Sequence, residues 1–261
     1  MADDNVLRKR YKLGFVFSGG FIKGFAHLGV SQALFEYGFK PDIISGTSAG
    51  ALVGAFIADG KEPYEILHVF DNHNFFDLTK FARSLKGLFT LKEFIDFLKG
   101  NLSVLRIEDL KIPLVITASD LDHGISVQFR KGDLPLCIAA SCCMPVMFAP
   151  VVINGTNYVD GGVFKNLPVS PVRNECEEII AINLSVINAK QYKKNAISIA
   201  TRCYNFMFCN NAMRDKEMAD VLIELKGLEK YSNRELEKAG EIFNIGYSQA
   251  KEKLEFLYGK K

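Results

Sequence analysis

Two stretches decide the fold: Leu13-Gly14-Phe15-Val16-Phe17-Ser18-Gly19-Gly20-Phe21-Ile22-Lys23-Gly24 and Asp42-Ile43-Ile44-Ser45-Gly46-Thr47-Ser48-Ala49-Gly50. Each is a short apolar run that ends in a glycine-bearing loop. After the first loop, Phe25, Ala26, Leu28, Gly29, Ala33, Leu34 and Phe35 recur at helical spacing. After the second, small and apolar residues over 51–58 read as another helix. Strand, loop and helix in tandem wind a parallel sheet, because parallel neighbours need a crossover.

The rest of the chain continues the pattern. Residues 61–100 read as helical, with Thr90-Leu91-Lys92-Glu93 as a capping box before Phe94, Phe97 and Leu98. Strands over 112–118 and 125–129 flank an Asp122-His123-Gly124 turn, and Asn154-Gly155 joins 151–153 to Tyr158-Val159 as a hairpin. A strand over 179–182, a helix over 196–213, a strand over 221–225 and a helix opened by Ser232-Asn233-Arg234-Glu235 complete the series. The class is α/β, a three-layer α/β/α sandwich with a largely parallel central sheet.

Composition narrows the function. A chain of 261 residues with 48% hydrophobic and 24% charged content matches a globular domain with a sizeable core, not a disordered or disulfide-scaffold protein. Thirty-two Lys and Arg against 30 Asp and Glu leave a charge of +2, too balanced for a nucleic-acid partner. The N-terminus has no apolar signal region, and no apolar stretch reaches the roughly 18 residues of a membrane span. Cys137, Cys142, Cys143, Cys176, Cys203 and Cys209 form no CxxC pair and show no metal-like spacing with histidine, so they read as reduced, mostly buried thiols of a cytoplasmic protein without a metal site.

Gly46-Thr47-Ser48-Ala49-Gly50 is a GxSxG motif between a strand and a helix. Such a turn holds its serine exposed and strained, and Gly46 and Gly50 remove the side chains that would clash two residues to either side. The plainer reading is a glycine turn whose serine caps the helix. The Gly19-Gly20-Phe21-Ile22-Lys23-Gly24 loop also opens a helix, so its N–H groups face any anion placed there. It is no Walker loop, since Phe25 follows Gly24, and Phe21 breaks GxGxxG. Neighbouring parallel strands would set this loop beside Ser48, and an anion hole next to a nucleophile is the geometry of acyl transfer.

Serine needs a base. The histidines are His27, His68, His73 and His123, so a Ser, acid, His order would have to end at His123, in a hairpin turn. A carboxylate is the other choice. In Asp160-Gly161-Gly162 the glycines let the backbone turn away while the carboxylate points at the site, although the same residues also read as a turn aspartate bonded to its own backbone.

Taken together, the glycine loop, the GxSxG elbow and the Asp-Gly-Gly turn, in that order, resemble the patatin-like phospholipase family, of the compact bacterial type. The resemblance extends to Phe25-Ala26-His27-Leu28-Gly29-Val30, Ala139-Ala140-Ser141, Pro145 and Asn166-Leu167-Pro168, and covers roughly residues 13–185. It implies one domain over 1–261, with a helix-strand-helix tail from about residue 189 packed on the motif-bearing part. It also implies a lipid acyl hydrolase of phospholipase A or lysophospholipase type that works through a Ser48 and Asp160 dyad without histidine, metal or cofactor. Gly20 and Phe21 would supply oxyanion N–H groups with Lys23 nearby, and Gly19, Gly24, Gly46, Gly50, Gly161 and Gly162 would shape the loops. An aspartate at its ordinary pKa of about 3.9 is a poor base, so burial near an apolar pocket is expected to raise it.

Phe21 departs from the family, which carries a third glycine there. A residue with a Cβ does not freely adopt φ > 0. A second reading is therefore a catalytically weak protein that binds lipid or a partner, and a third is a phosphate- or nucleotide-binding α/β protein. Phe56, Phe70, Phe75, Phe76, Phe81, Phe89, Phe94 and Phe97, interspersed with Lys80, Arg83 and Lys86, form either an acyl-chain wall with transient membrane contact or core faces with a solvated basic side. The expected partner is a phospholipid or other acyl ester. The apolar tail residues Phe206, Met207 and Phe208, then Ile242, Phe243 and Leu254, either cover the sheet or form a homo-oligomer contact, and His27 and Cys142-Cys143 are expected to pack internally.

Overall fold

Alternation along one strand sets the two faces of the sheet. β1 (Tyr11–Phe17) sends Phe15 and Phe17 into one buried apolar cluster and Val16 into another, as the two-residue period of a strand requires. The computed structural model describes residues 9–71, 91–184, 192, 194–231 and 235–259. Seven further strands join β1: β2 (Ile43–Thr47), β3 (Leu114–Asp120), β4 (Ile125–Phe129), β5 (Val151–Ile153), β6 (Thr156–Asp160), β7 (Cys176–Asn183) and β8 (Val221–Glu224). Their order is β5-β6-β3-β2-β1-β7-β8, with β4 also on β3. The run β3-β2-β1-β7-β8 is parallel, and β4, β5 and β6 add an antiparallel flank.

The register around β3 positions the site. β2 pairs with β3 as far as Thr47 opposite Thr117, and β6 pairs with β3 from Asp160 opposite Ala118. β4 pairs with Ile116 to Asp120, overlapping both stretches, and so occupies the other edge. β6 therefore takes over where β2 stops, and the residue after Thr47 meets the last residue of β6. The hairpin that delivers β6 turns at Asn154 and Gly155, with φ of 51° and 84°, the paired left-handed conformation of a type I′ turn.

Helices flank the sheet on both sides. Over the Phe15 face lie α1 (Phe25–Glu36), α2 (Ala49–Ala58), α3 (Pro63–Asp71), α4 (Lys92–Asn101), α5 (Leu134–Ser141) and α8 (Ala239–Tyr258), which bury Leu28, Phe56, Ile66, Leu98, Ile138 and Phe243 in one continuous cluster. Each fully buried side chain of this size contributes about 1.5–3 kcal/mol, so α8 is bound to the N-terminal half by its own core residues. The Val16 face is covered more thinly, by Leu167, Val169 and Val172 and by Ala212 between α6 (Ala196–Asn211) and α7 (Met213–Glu217).

Several boundaries differ from expectation. β3 starts at Leu114, because Pro113 has no N–H to give to a ladder. The single helix expected over 196–213 is α6 followed by α7, and the last helix begins at Ala239 after a short 3-10 turn; Ser232, Asn233 and Arg234 lie outside the described residues. Phe56, Phe70, Phe94 and Phe97 are buried core, with Phe70 in ring contact with Phe56 and Phe97 at 5.8 and 5.4 Å. Phe75, Phe76, Phe81 and Phe89, the basic residues Lys80, Arg83 and Lys86, and Thr90 of the capping box lie outside the described residues. Among the described residues, no helix is long and apolar enough to cross a membrane.

Candidate active site

The chain leaves β2 at Thr47 and enters α2 at Ala49, so Ser48 takes the whole turn, with φ 53° and ψ −122°. That is a strained conformation for a residue with a Cβ. The turn closes only because its flanks lack side chains: a Cβ on Gly46 would sit 2.5 Å from the Gly50 carbonyl oxygen, and one on Gly50 would sit 2.3 Å from that of Phe17. The Ser48 N–H donates to Ser141 Oγ at 2.8 Å, and Ser141 Oγ donates to the Thr117 carbonyl at 2.7 Å. Ser48 makes no side-chain cap bond. Its Oγ instead donates to Asp160 Oδ2 at 2.7 Å.

The two oxygens of Asp160 have different partners. Oδ1 accepts the Gly162 N–H at 2.8 Å, as a turn aspartate does, while Oδ2 takes the serine. The Asp160 backbone is held on both sides, its N–H donating to the Cys143 carbonyl at 2.8 Å and its carbonyl accepting from Ser119 Oγ at 2.9 Å. A Cβ on Gly161 would lie 2.2 Å from the Thr117 carbonyl oxygen, so the turn needs a glycine there. Asp160 is 2% exposed, and burial raises its pKa to about 7 against the opposing pull of the Gly162 and Ser48 hydrogen bonds. Ser48 is 6% exposed, whereas the motif alone predicts an open serine.

The glycine loop runs alongside. Gly19 approaches so closely that a Cβ on it would lie 3.3 Å from Ser48 Cβ, and its N–H donates to the Asn166 carbonyl at 3.1 Å. Gly20 and Phe21 follow and lead into the 3-10 turn Phe21–Gly24, which contains Lys23, with Gly24 against Ala49. Phe21 has φ 55°, the left-handed conformation that a glycine adopts freely. For a residue with a Cβ this costs about 1–2 kcal/mol. Its half-buried ring packs against the core.

His27 and His123 have other partners. His27 is fully buried, lies 5.0 Å from the Phe17 ring and donates from Nε2 to the Ser18 carbonyl at 2.8 Å, so it braces the loop. Burial lowers its pKa to about 4, which keeps it neutral. His123 pairs with Asp120 at 2.9 Å in the β3–β4 turn, so an order ending at His123 is not assembled around Ser48. Cys142 and Cys143 follow Ser141, and burial pushes both thiols up, Cys143 to about 12.

One contributor has no motif in the sequence. On α6 the Phe208 ring covers Gly162, lying 2.3 Å from where a Cβ would stand, and Asn211 Nδ2 donates to the carbonyls of Gly162 at 2.7 Å and Val163 at 3.2 Å. Asn211 Oδ1 accepts the Asn166 N–H at 2.8 Å. The helix thus holds the Asp160 turn and the segment after it. The sequence offered only the apolar cluster around Phe208 as a sign of burial.

The fold and site are those of an α/β protein with a strained serine at the C-terminal end of a parallel strand, hydrogen-bonded to a buried aspartate on the antiparallel flank. Residues 15–173 match the family described as patatin-like phospholipase, and the chain belongs to that family. An uncharacterized NTE family protein of Mycobacterium tuberculosis is 34% identical over 172 residues, which cover 64% of this chain and 47% of that protein. YqhO, an uncharacterized protein of Bacillus subtilis, is 31% identical over 214 residues, covering 69% of this chain and 74% of YqhO. Lysophospholipase NTE1 of Saccharomyces cerevisiae is 29% identical over 182 residues, 66% of this chain and 11% of that protein. The chain therefore spans under half the length of the mycobacterial relative. The crystal structure of VipD from Legionella pneumophila shares the fold, with a TM-score of 0.54 and 15% identity over 95% of this chain and 67% of that one.

Proposed function

We propose that the protein hydrolyses acyl esters of lipids, of phospholipase A or lysophospholipase type, with Ser48 as nucleophile and Asp160 as its base. The single observation that carries this reading is the 2.7 Å hydrogen bond from Ser48 Oγ to a buried Asp160 whose pKa lies near 7. Ser48 Oγ attacks the ester carbonyl as its proton passes to Asp160 Oδ2. The carbon–oxygen bond of the leaving group then breaks and that oxygen takes the proton back from Asp160. Water, deprotonated by Asp160, releases the acyl group from Ser48 by the reverse route. A base near pH 7 needs no histidine to accept a proton from serine at neutral pH.

The oxyanion would be met by the N–H groups of Gly20 and Phe21, with the charge of Lys23 close by. The positive φ of Phe21 supports a working loop over the weakly catalytic reading, since the backbone there follows the path open to glycine. The contact of Gly19 with Ser48 favours an oxyanion loop over a nucleotide site. The kinship with a yeast lysophospholipase supports a phospholipid or lysophospholipid as substrate. The core shared by α8 and β1 supports one domain over 1–261, and a cytoplasmic location with transient contact at the membrane surface is part of the same proposal.

Release of fatty acid from lysophosphatidylcholine and from p-nitrophenyl butyrate tests the reading. Wild type turns over at least one of them, and Ser48→Ala loses at least about 10³-fold. Undiminished turnover by Ser48→Ala contradicts it.

A further inference from the structure

Tyr204 stands one turn before Phe208 on α6, their ring centroids 4.3 Å apart. Phe208 covers Gly162, and Asn211, one turn further on, is bonded to the Gly162 and Val163 carbonyls. One face of the helix, Tyr204, Phe208 and Asn211, is thus laid along the turn that carries Asp160. The Tyr204 hydroxyl is buried and hydrogen-bonds to no group among the described residues. Asp160, Cys143 and Cys142 lie within electrostatic reach of it, and together with burial they push the phenol pKa up, so the hydroxyl keeps its proton. A buried donor left without an acceptor lowers stability. Its place on the helix face laid along the Asp160 turn supplies a reason for its retention.

We infer that the Tyr204 hydroxyl donates a hydrogen bond to the alkyl oxygen of the scissile ester. The inference rests on the acyl-hydrolase reading above. The carbonyl oxygen is assigned to the loop that follows Gly19, and α6 lies along the Asp160 turn. Asp160 must reach the leaving oxygen to return the proton, so a donor on the helix face laid along the Asp160 turn is placed for that same oxygen. When the carbon–oxygen bond breaks, its electron pair goes to the alkyl oxygen and the proton from Asp160 neutralises it. Tyr204 lends a hydrogen bond throughout and keeps its own proton. In deacylation the attacking water occupies the same place, by microscopic reversibility.

Tyr204→Phe keeps the ring stack and removes one oxygen. Two esters of one fatty acid, lysophosphatidylcholine and a p-nitrophenyl ester, separate the roles, because p-nitrophenolate leaves without help. For Tyr204→Phe, kcat/KM on lysophosphatidylcholine falls about 10–100-fold, while on the p-nitrophenyl ester it falls less than about 3-fold. The Tm rises by about 2–4 °C, since an unpaired buried hydroxyl is gone. Equal losses on both esters, no loss on lysophosphatidylcholine, or a fall in Tm overturns the inference while leaving the acyl-hydrolase reading intact. If wild type cleaves neither ester and takes no fluorophosphonate label, the reading itself fails and the inference falls with it.

Discussion

The backbone amide of Ser48 and the hydroxyl of Ser141 are joined at 2.8 Å, and Ser141 in turn binds the Thr117 carbonyl on β3. A residue at the end of α5 thereby locks the strained turn to the strand beside it. Ser141→Ala leaves two buried backbone groups unpaired and is expected to destabilise the protein by about 1–3 kcal/mol. Urea denaturation measures that loss, and labelling of Ser48 by a fluorophosphonate slows as the turn loosens. A variant of unchanged stability and reactivity would show that the turn is held elsewhere.

Asp160 makes stability depend on pH in an unusual direction. Its folded-state pKa of about 7 lies above the ordinary 3.8, so between those values the folded protein holds a proton that the unfolded chain has released. Stability from this group therefore declines as pH rises from about 4 to about 7, and the deficit is complete above that range. Asp160→Asn removes the buried charge and is expected to stabilise the protein at pH 8 by on the order of 2–4 kcal/mol, with little effect at pH 4. Denaturant midpoints at the two pH values check this; equal midpoints for wild type and variant at pH 8 would contradict it.

Phe21→Gly tests the loop. Phe21 already has φ 55°, so glycine would relieve about 1–2 kcal/mol of backbone strain without moving the N–H groups, at the loss of some ring packing. Turnover is expected to stay within about 3-fold of wild type, because the backbone geometry at the hole is already that of a glycine. A gain above about 10-fold in kcat/KM would mean that Phe21 restrains the site.

Asn211→Ala detaches α6 from the Asp160 turn. It removes the partners of the Gly162 and Val163 carbonyls and of the Asn166 N–H, with an expected cost of about 2–3 kcal/mol. Lower kcat/KM accompanies the loss of stability. Full activity at the wild-type denaturant midpoint would remove α6 from the account of the site.

How much of this was legible in the sequence follows from how local each determinant is. Gly46, Ser48 and Gly50 lie within five residues, and the clash that Gly46 avoids is with Gly50 of the same turn, so the motif could be read directly, although Gly50 also clears Phe17 on β1. The pairing of β1 with β2, which sets Gly19 against Ser48, follows from two successive strand-loop-helix units. The Asn154-Gly155 turn announced the hairpin that delivers Asp160. The placement of Asp160 beside Ser48 depends on β6 succeeding β2 along one edge of β3, a relation across 112 residues that no local pattern encodes. Tyr204, Phe208 and Asn211 were hidden for the same reason: they are ordinary residues of an amphipathic helix, and only the tertiary fold lays that face on Gly162. Ser141 was visible as part of a family pattern, without its role as the acceptor for the Ser48 amide.

The central claim is that Asp160 activates Ser48, and intact-mass spectrometry after treatment with a fluorophosphonate probe tests it most directly. One adduct forms on wild type, with a rate that rises with pH to a plateau above about 7 as Asp160 loses its proton. Ser48→Ala takes no adduct, and Asp160→Asn labels at least about 10²-fold more slowly. An adduct that persists in Ser48→Ala, or labelling of Asp160→Asn at the wild-type rate, would contradict the account.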